Sequence, residues 1–137
     1  PKPTVVLCGS LNPLSREQID AIGVTVQTTT SGIEFSDDVT VLATPIPDGG
    51  ITDAEAVTMA EEAAEMLRRE WARIGTLVVI GGDTTAAIVG DDALDCMGTV
   101  APGIPASTYD GLCLITKGGG IGELETVKTI VAATARP

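Results

Sequence analysis

Thr76-Leu77-Val78-Val79-Ile80 runs directly into Gly81-Gly82-Asp83-Thr84. The first five residues are short, aliphatic and mostly β-branched, the pattern of a strand buried on both faces. The glycines then permit a tight turn, and Thr85 to Gly90 reads as a short helix. The same succession of strand, glycine turn and helix recurs twice. Thr4 to Cys8 (TVVLC) leads into Gly9-Ser10-Leu11-Asn12-Pro13, and Leu112 to Thr116 (LCLIT) leads into Lys117-Gly118-Gly119-Gly120-Ile121-Gly122. Strands that alternate with helices pair in parallel and carry the helices on the faces of the sheet. The expectation is a single-domain α/β fold of three layers, a mostly parallel sheet with helices on both faces. The carboxyl ends of such strands share one edge, where open α/β sheets bind their ligands.

The remaining elements fit between these three units. Ser15-Arg16-Glu17-Gln18 has the form of a capping box and predicts a helix that Gly23 ends. Val24 to Thr28 alternates like a strand, Ser31 to Asp38 is a polar connection, and Val39 to Ala43 is another apolar run. Thr44 to Gly50 is a loop of prolines and glycines. A second capping box, Thr52-Asp53-Ala54-Glu55, starts the longest helix. There Val57, Ala60, Ala64, Leu67 and Trp71 form one apolar stripe, and Gly75 is a natural stop. Thr85 to Ala101 reads as a helix and a linker, with Asp91, Asp92 and Asp95 in a solvated loop. A last helix from about Glu123 to Ala135 buries Leu124, Val127, Ile130 and Val131.

Composition removes whole classes of function. The 137 residues carry a net charge of −11, and histidine is absent. There is no imidazole for a Ser-His-Asp or Cys-His relay or for a metal site. An acidic surface repels nucleic-acid backbones and anionic membranes, so neither is an expected partner. No apolar run approaches the length of a membrane span. About 44% of residues are apolar, enough for one core, but only three are aromatic, so small aliphatic side chains must fill it. Cys8, Cys96 and Cys113 contain no CxxC pair, and their odd number reads as reduced and cytoplasmic. Cys8 and Cys113 fall in apolar runs and read as core. The chain opens Pro-Lys-Pro with neither an initiator Met nor a signal segment, and reads as a processed chain or a piece of a longer one.

A glycine turn entering a helix exposes backbone N–H groups at the positive end of the helix dipole, which makes an anion cradle. The usual nucleotide signatures are missing: no stretch supplies GxxxxGK[ST], and Glu123 stands where GxGxxG needs its third glycine. Lys117 is the one basic residue in the three turns, so a phosphate ligand would be held by amides, by Lys117 and by Mg²⁺. Asp83 is either the N-cap of the helix that follows or a functional carboxylate, as base, Mg²⁺ ligand or positioner of water. Thr84 and Thr85 are cap hydroxyls or phosphate donors. Ser10 forms the turn or donates to a phosphate or ribose oxygen. No cluster has the spacing of a dedicated metal site.

Taken in order, these stretches resemble one family. VVLCGSLNPLSREQIDAI is similar to the opening of the C-terminal, nucleotide-binding domain of the four-carbon acid sugar kinases, and TLVVIGGDTTAAIV to that family's GGDT segment. VAPGIPAS resembles its PGVP segment, and LITKGGGIGELETV its closing KSGGFG segment. Gly118 stands where the family has Ser, Ile121 where it has Phe, and the stretch from Thr85 to Ala101 is short. The resemblance implies residues 1–137 as a nucleotide-binding domain, with ATP and Mg²⁺ as cofactors and phosphorylation of a tetronate or 3-oxo-tetronate hydroxyl. It also implies an N-terminal sugar-acid domain that this sequence lacks. The ATP-binding role carries onto Ser10, Gly81, Gly82, Asp83, Thr84 and Gly119. Lys117 and Gly120 join them from the loop chemistry, and Asp83 takes the catalytic position. The rival readings are a non-catalytic regulatory module that binds a small anion or nucleotide, and a structural domain with ordinary glycine joints.

Overall fold

A computed structural model describes residues 3–30 and 33–134. Among these, seven strands form one sheet in the order β2-β3-β1-β4-β7-β6-β5. The strands are β1 (Thr4–Cys8), β2 (Val26–Thr28), β3 (Val39–Ala43), β4 (Thr76–Ile80), β5 (Asp95–Ala101), β6 (Ile104–Tyr109) and β7 (Leu112–Lys117). The helices are α1 (Pro13–Asp20), α2 (Asp53–Arg69), α3 (Gly82–Val89) and α4 (Thr126–Thr134). From β2 to β7 all neighbours are parallel, while β5, β6 and β7 pair antiparallel.

The three layers follow from side-chain alternation along the central strands. Val5, Leu7, Leu77 and Val79 face one side and pack with Ala63, Ala64 and Leu67 of α2 and Ile88 of α3. Val6, Cys8, Val78 and Ile80 face the other and pack with Ile19 of α1 and Val127, Ile130 and Val131 of α4. Alanines on α2 let that helix approach the sheet closely, which is how a core with so few aromatics fills its space. The Thr52 capping box is present, with Thr52 Oγ1 accepting from the Glu55 amide at 3.1 Å.

Several boundaries differ from the sequence reading. The first helix begins at Pro13, capped by Asn12 Oδ1, which accepts from the Leu14 amide at 2.9 Å. Proline is favoured in a first turn because its missing N–H costs nothing there. Ser15 is therefore inside the helix and buried, free to act elsewhere. On α2 the stripe is shifted: Val57 is exposed, Ala63 is buried, and the helix gives way to a 3₁₀ turn over Trp71–Arg73 before Gly75. Leu124 precedes α4 and is exposed. Ser31, Gly32 and Ala135 lie outside the described residues.

The largest difference is the pair of hairpins. Pro102-Gly103 turns β5 into β6, with Gly103 at φ 74°, and Asp110-Gly111 turns β6 into β7, both at positive φ. Proline followed by glycine suits a type II turn, and Asp-Gly a type I′ hairpin. What the sequence reading took as a linker before the PGIP segment is thus partly an edge strand. Nor is Asp92 merely solvated, because its Oδ2 accepts from the Tyr109 hydroxyl at 2.6 Å.

Candidate functional site

Strand order decides where the glycine turns go. β1, β4 and β7 are immediate neighbours and parallel, so their three turns leave the same edge side by side. The ladder continues one residue beyond the strands: Gly9 N–H donates to Ile80 O at 2.8 Å, and Gly81 N–H to Lys117 O at 3.0 Å. The turns then touch. At Gly81 a side chain's first carbon would lie 3.1 Å from the Ser10 nitrogen, and at Gly9 it would overlap the buried Thr84 side chain. At Gly119 it would overlap the Ser10 hydroxyl. Glycine is required at these points by close approach, and at Gly81 also by φ 116°.

The helix after the second turn starts earlier than its sequence suggests. Gly81 is the N-cap and Gly82 the first residue of α3, so Asp83 lies in the first turn and is not the cap. Glycine at the N-cap releases Asp83 from that duty, and its exposed carboxylate makes no hydrogen bond among the described residues. The amides of Gly82, Asp83 and Thr84 are likewise unpaired there, as the first amides of a helix are unless something caps them. Thr85 Oγ1 bonds back to Gly81 O at 2.8 Å. Thr84 is buried against Gly9.

Of the other candidates, Ser10 Oγ accepts from the Asn12 amide at 3.1 Å, which leaves its own proton free to donate. Gly120 lies beside the Asn12 side chain. Lys117 is 2% exposed, and its Nζ donates to Gly118 O at 2.6 Å and Gly119 O at 3.4 Å. Burial pushes its pKa down, partly opposed by neighbouring Cys8, while burial pushes the Cys8 thiol up. The expected cation is thus at the edge but under the loop.

Three residues of α1 were missed as parts of this edge. Arg16 Nε donates to Ser10 O at 2.8 Å, and its guanidinium reaches Thr44 O at 2.9 Å and Thr44 Oγ1 at 3.2 Å. It ties the turn after β1 to the end of β3. Ser15 Oγ donates to Gly119 O at 2.6 Å, and Gln18 Nε2 to Ile121 O at 3.2 Å and Glu123 O at 2.7 Å. The sequence signal was a set of polar residues on the helix face that should have been apolar.

A cleft of about 420 Å³ opens between α3, the β5–β6 hairpin and the turn after β7, lined by Gly81, Gly82, Thr85, Gly103, Lys117 and Gly118. Another of about 440 Å³ lies against α2, where the carboxylates of Glu62, Glu65 and Glu70 outnumber the guanidinium of Arg69 and disfavour an anion. Among the described residues no three His, Cys, Asp or Glu side chains gather to hold a metal ion, and no helix is long and apolar enough to cross a membrane.

No family model matches this chain, and no curated protein does. Solved structures share its fold. A domain of unknown function (DUF1537) from Bordetella bronchiseptica, a domain-swapped dimer with bound citrate, superposes with a TM-score of 0.75 at 21% identity over 98% of this chain. Haemophilus influenzae HI1011, also DUF1537, gives 0.71 at 14% over 99%, and a Salmonella typhimurium LT2 protein provisionally called a tRNA synthase gives 0.73 at 15% over 100%. The chain is thus a single three-layer α/β domain, and two of these three solved neighbours are DUF1537 proteins. It spans about two fifths of their length, 42%, 41% and 41% respectively.

Proposed function

We propose that this chain is the nucleotide-binding domain of a four-carbon acid sugar kinase, which transfers a phosphoryl group from ATP to a tetronate or 3-oxo-tetronate hydroxyl. One observation carries the reading: the turns after β1, β4 and β7 are in mutual contact, and the unpaired first amides of α3 open onto the same place. A triphosphate there has few side-chain cations to meet and depends on oriented N–H groups. The residues fit such a group. Gly82 has open space where a side chain would stand, and the amides of Gly82, Asp83 and Thr84 would hold phosphate oxygens. Ser10 would donate its hydroxyl proton. Lys117 would add positive charge from beneath the loop.

Mg²⁺ would fit as an ion carried mainly by the phosphates, since it binds through one or two carboxylates plus phosphate oxygens, and the exposed Asp83 would offer one carboxylate. When bound, it neutralises charge that develops on the transferred group. Asp83, exposed at the mouth of α3, would orient the attacking hydroxyl rather than take its proton, since a carboxylate that holds Mg²⁺ is a poor base. The protein's contribution is otherwise positioning and charge stabilisation. The sugar acid would be held by the remainder of a longer protein, and the chain alone would bind ATP weakly and turn over no sugar acid. Calorimetry with Mg·ATP at millimolar concentration tests this: wild type should release or absorb heat, and Asp83→Ala should bind more weakly. No heat from wild type, with Asp83→Ala indistinguishable from it, removes the proposal.

A second reading, a non-catalytic regulatory module for a small anion or nucleotide, draws on the citrate held by the Bordetella neighbour. It predicts citrate binding at least as tight as that of Mg·ATP.

A further inference from the structure

Ser15, Gln18 and Lys117 lie beneath the loop that follows β7, each 2% exposed or less. All their donors end on carbonyl oxygens of that loop. Lys117 Nζ takes Gly118 O, Ser15 Oγ takes Gly119 O, and Gln18 Nε2 takes Ile121 O and Glu123 O. The amides of Gly118, Gly119, Gly120 and Gly122 have no partner among the described residues. Backbone amides also hold two of these oxygens, Gly118 O from Ile121 and Glu123 O from Thr126, but Gly119 O and Ile121 O are held by side chains alone, and glycine peptide planes left free turn over readily. A carbonyl turned outward would repel an anion.

We infer that Ser15, Gln18 and Lys117 are positioning residues that hold the loop carbonyls inward and so present its amides to an anionic ligand. Lys117 makes its bonds to the loop, so its charge would reach the ligand only through space. Gln18 has the widest reach, since its two acceptors flank Gly122 at φ 90°. Its own Oε1 is buried without a hydrogen-bond partner among the described residues, so this side chain serves as a donor at the cost of an unsatisfied acceptor. A residue selected only to fill the core would be aliphatic, as its neighbour Ile19 is. The inference rests on the nucleotide reading for the identity of the anion, and not for the polarity of the loop.

The test uses inorganic tripolyphosphate as the probe, titrated by calorimetry, with circular dichroism to establish folding. Gln18→Leu should fold and bind tripolyphosphate about tenfold more weakly than wild type, the scale of one lost buried hydrogen-bond donor. Gln18→Glu should be weak at about pH 8, where a carboxylate cannot donate, and closer to wild type at about pH 5, where part of it is protonated. Wild type is measured at both pH values. A purely structural role would lower the unfolding midpoint without this pH-dependent recovery. A folded Gln18→Leu that binds like wild type overturns the inference, as does a Gln18→Glu with the same deficit at both pH values. Should Gln18→Leu not fold, Ser15→Ala carries the test, and unchanged binding in it is equally fatal. Wild type that binds tripolyphosphate but not Mg·ATP sinks the nucleotide reading and leaves the loop assignment standing. Wild type that binds neither sinks both.

Discussion

Gly81 stands so close to Ser10 that the first carbon of any side chain there would lie 3.1 Å from the Ser10 backbone nitrogen. Its φ of 116° belongs to glycine as well. Gly82, one residue on, has open space around it and a helical position. The two glycines should therefore part company on substitution. Gly81→Ala should lose about 1–3 kcal/mol of stability in urea denaturation. Gly82→Ala should lose none, and could gain about 0.5 kcal/mol from helix propensity. Equal losses at both positions would contradict the contact between the turns.

Asp83 should separate function from stability in the opposite way. Its carboxylate is exposed and unbonded among the described residues, and its only expected contribution to folding is its favourable place in the first turn of α3. Asp83→Asn should shift stability by no more than about 1 kcal/mol. In the full-length kinase proposed above, it should lower kcat by about 100-fold or more, measured with ATP and a tetronate.

Arg16 joins two loops with three donors, so Arg16→Lys should not substitute for it. A single ammonium cannot span Ser10 O, Thr44 O and Thr44 Oγ1 in one plane. Amide hydrogen exchange across Ser10–Asn12 and Thr44–Ile46 should quicken in both Arg16→Lys and Arg16→Met, while the centre of β4 stays protected.

Tyr109 is the single tyrosine, so its ionisation can be read directly from absorbance near 295 nm. Its hydroxyl donates to Asp92, and that bond, then burial, raises its pKa above 10.0. A raised pKa means the folded state resists losing the proton. Tyr109 thus contributes stability below pH 10.0 that is lost as pH climbs from 10.0 through the raised value. Tyr109→Phe should remove that slope, and Asp92→Asn should return the optical midpoint toward 10.0.

The contrast between β4 and β5 explains how much was legible beforehand. Thr76 to Ile80 is buried on both faces, so its aliphatic run is visible without any partner. Asp95–Ala101 is exposed along almost its whole length and shows no such run, although Pro102-Gly103 and Asp110-Gly111 marked both hairpins. Local turn chemistry stands in the sequence there, but without apolar periodicity in Asp95–Ala101 nothing marks the strand that the turn joins. The cap at Thr52 was recognised because its partners lie three residues apart. Ser15 was misassigned because its partner, Gly119, lies 104 residues away.

Residue order alone determined the alternation of strand and helix, the three glycine bends and the small-residue core, because these depend on neighbours within a few positions. Only the tertiary structure decided that β1, β4 and β7 are adjacent, that Lys117 lies under its loop, and that α1 supplies donors to it. Those facts depend on strand order and on contacts across the sheet. A side chain's chemistry states what it can bond, and the fold alone brings the partner within reach.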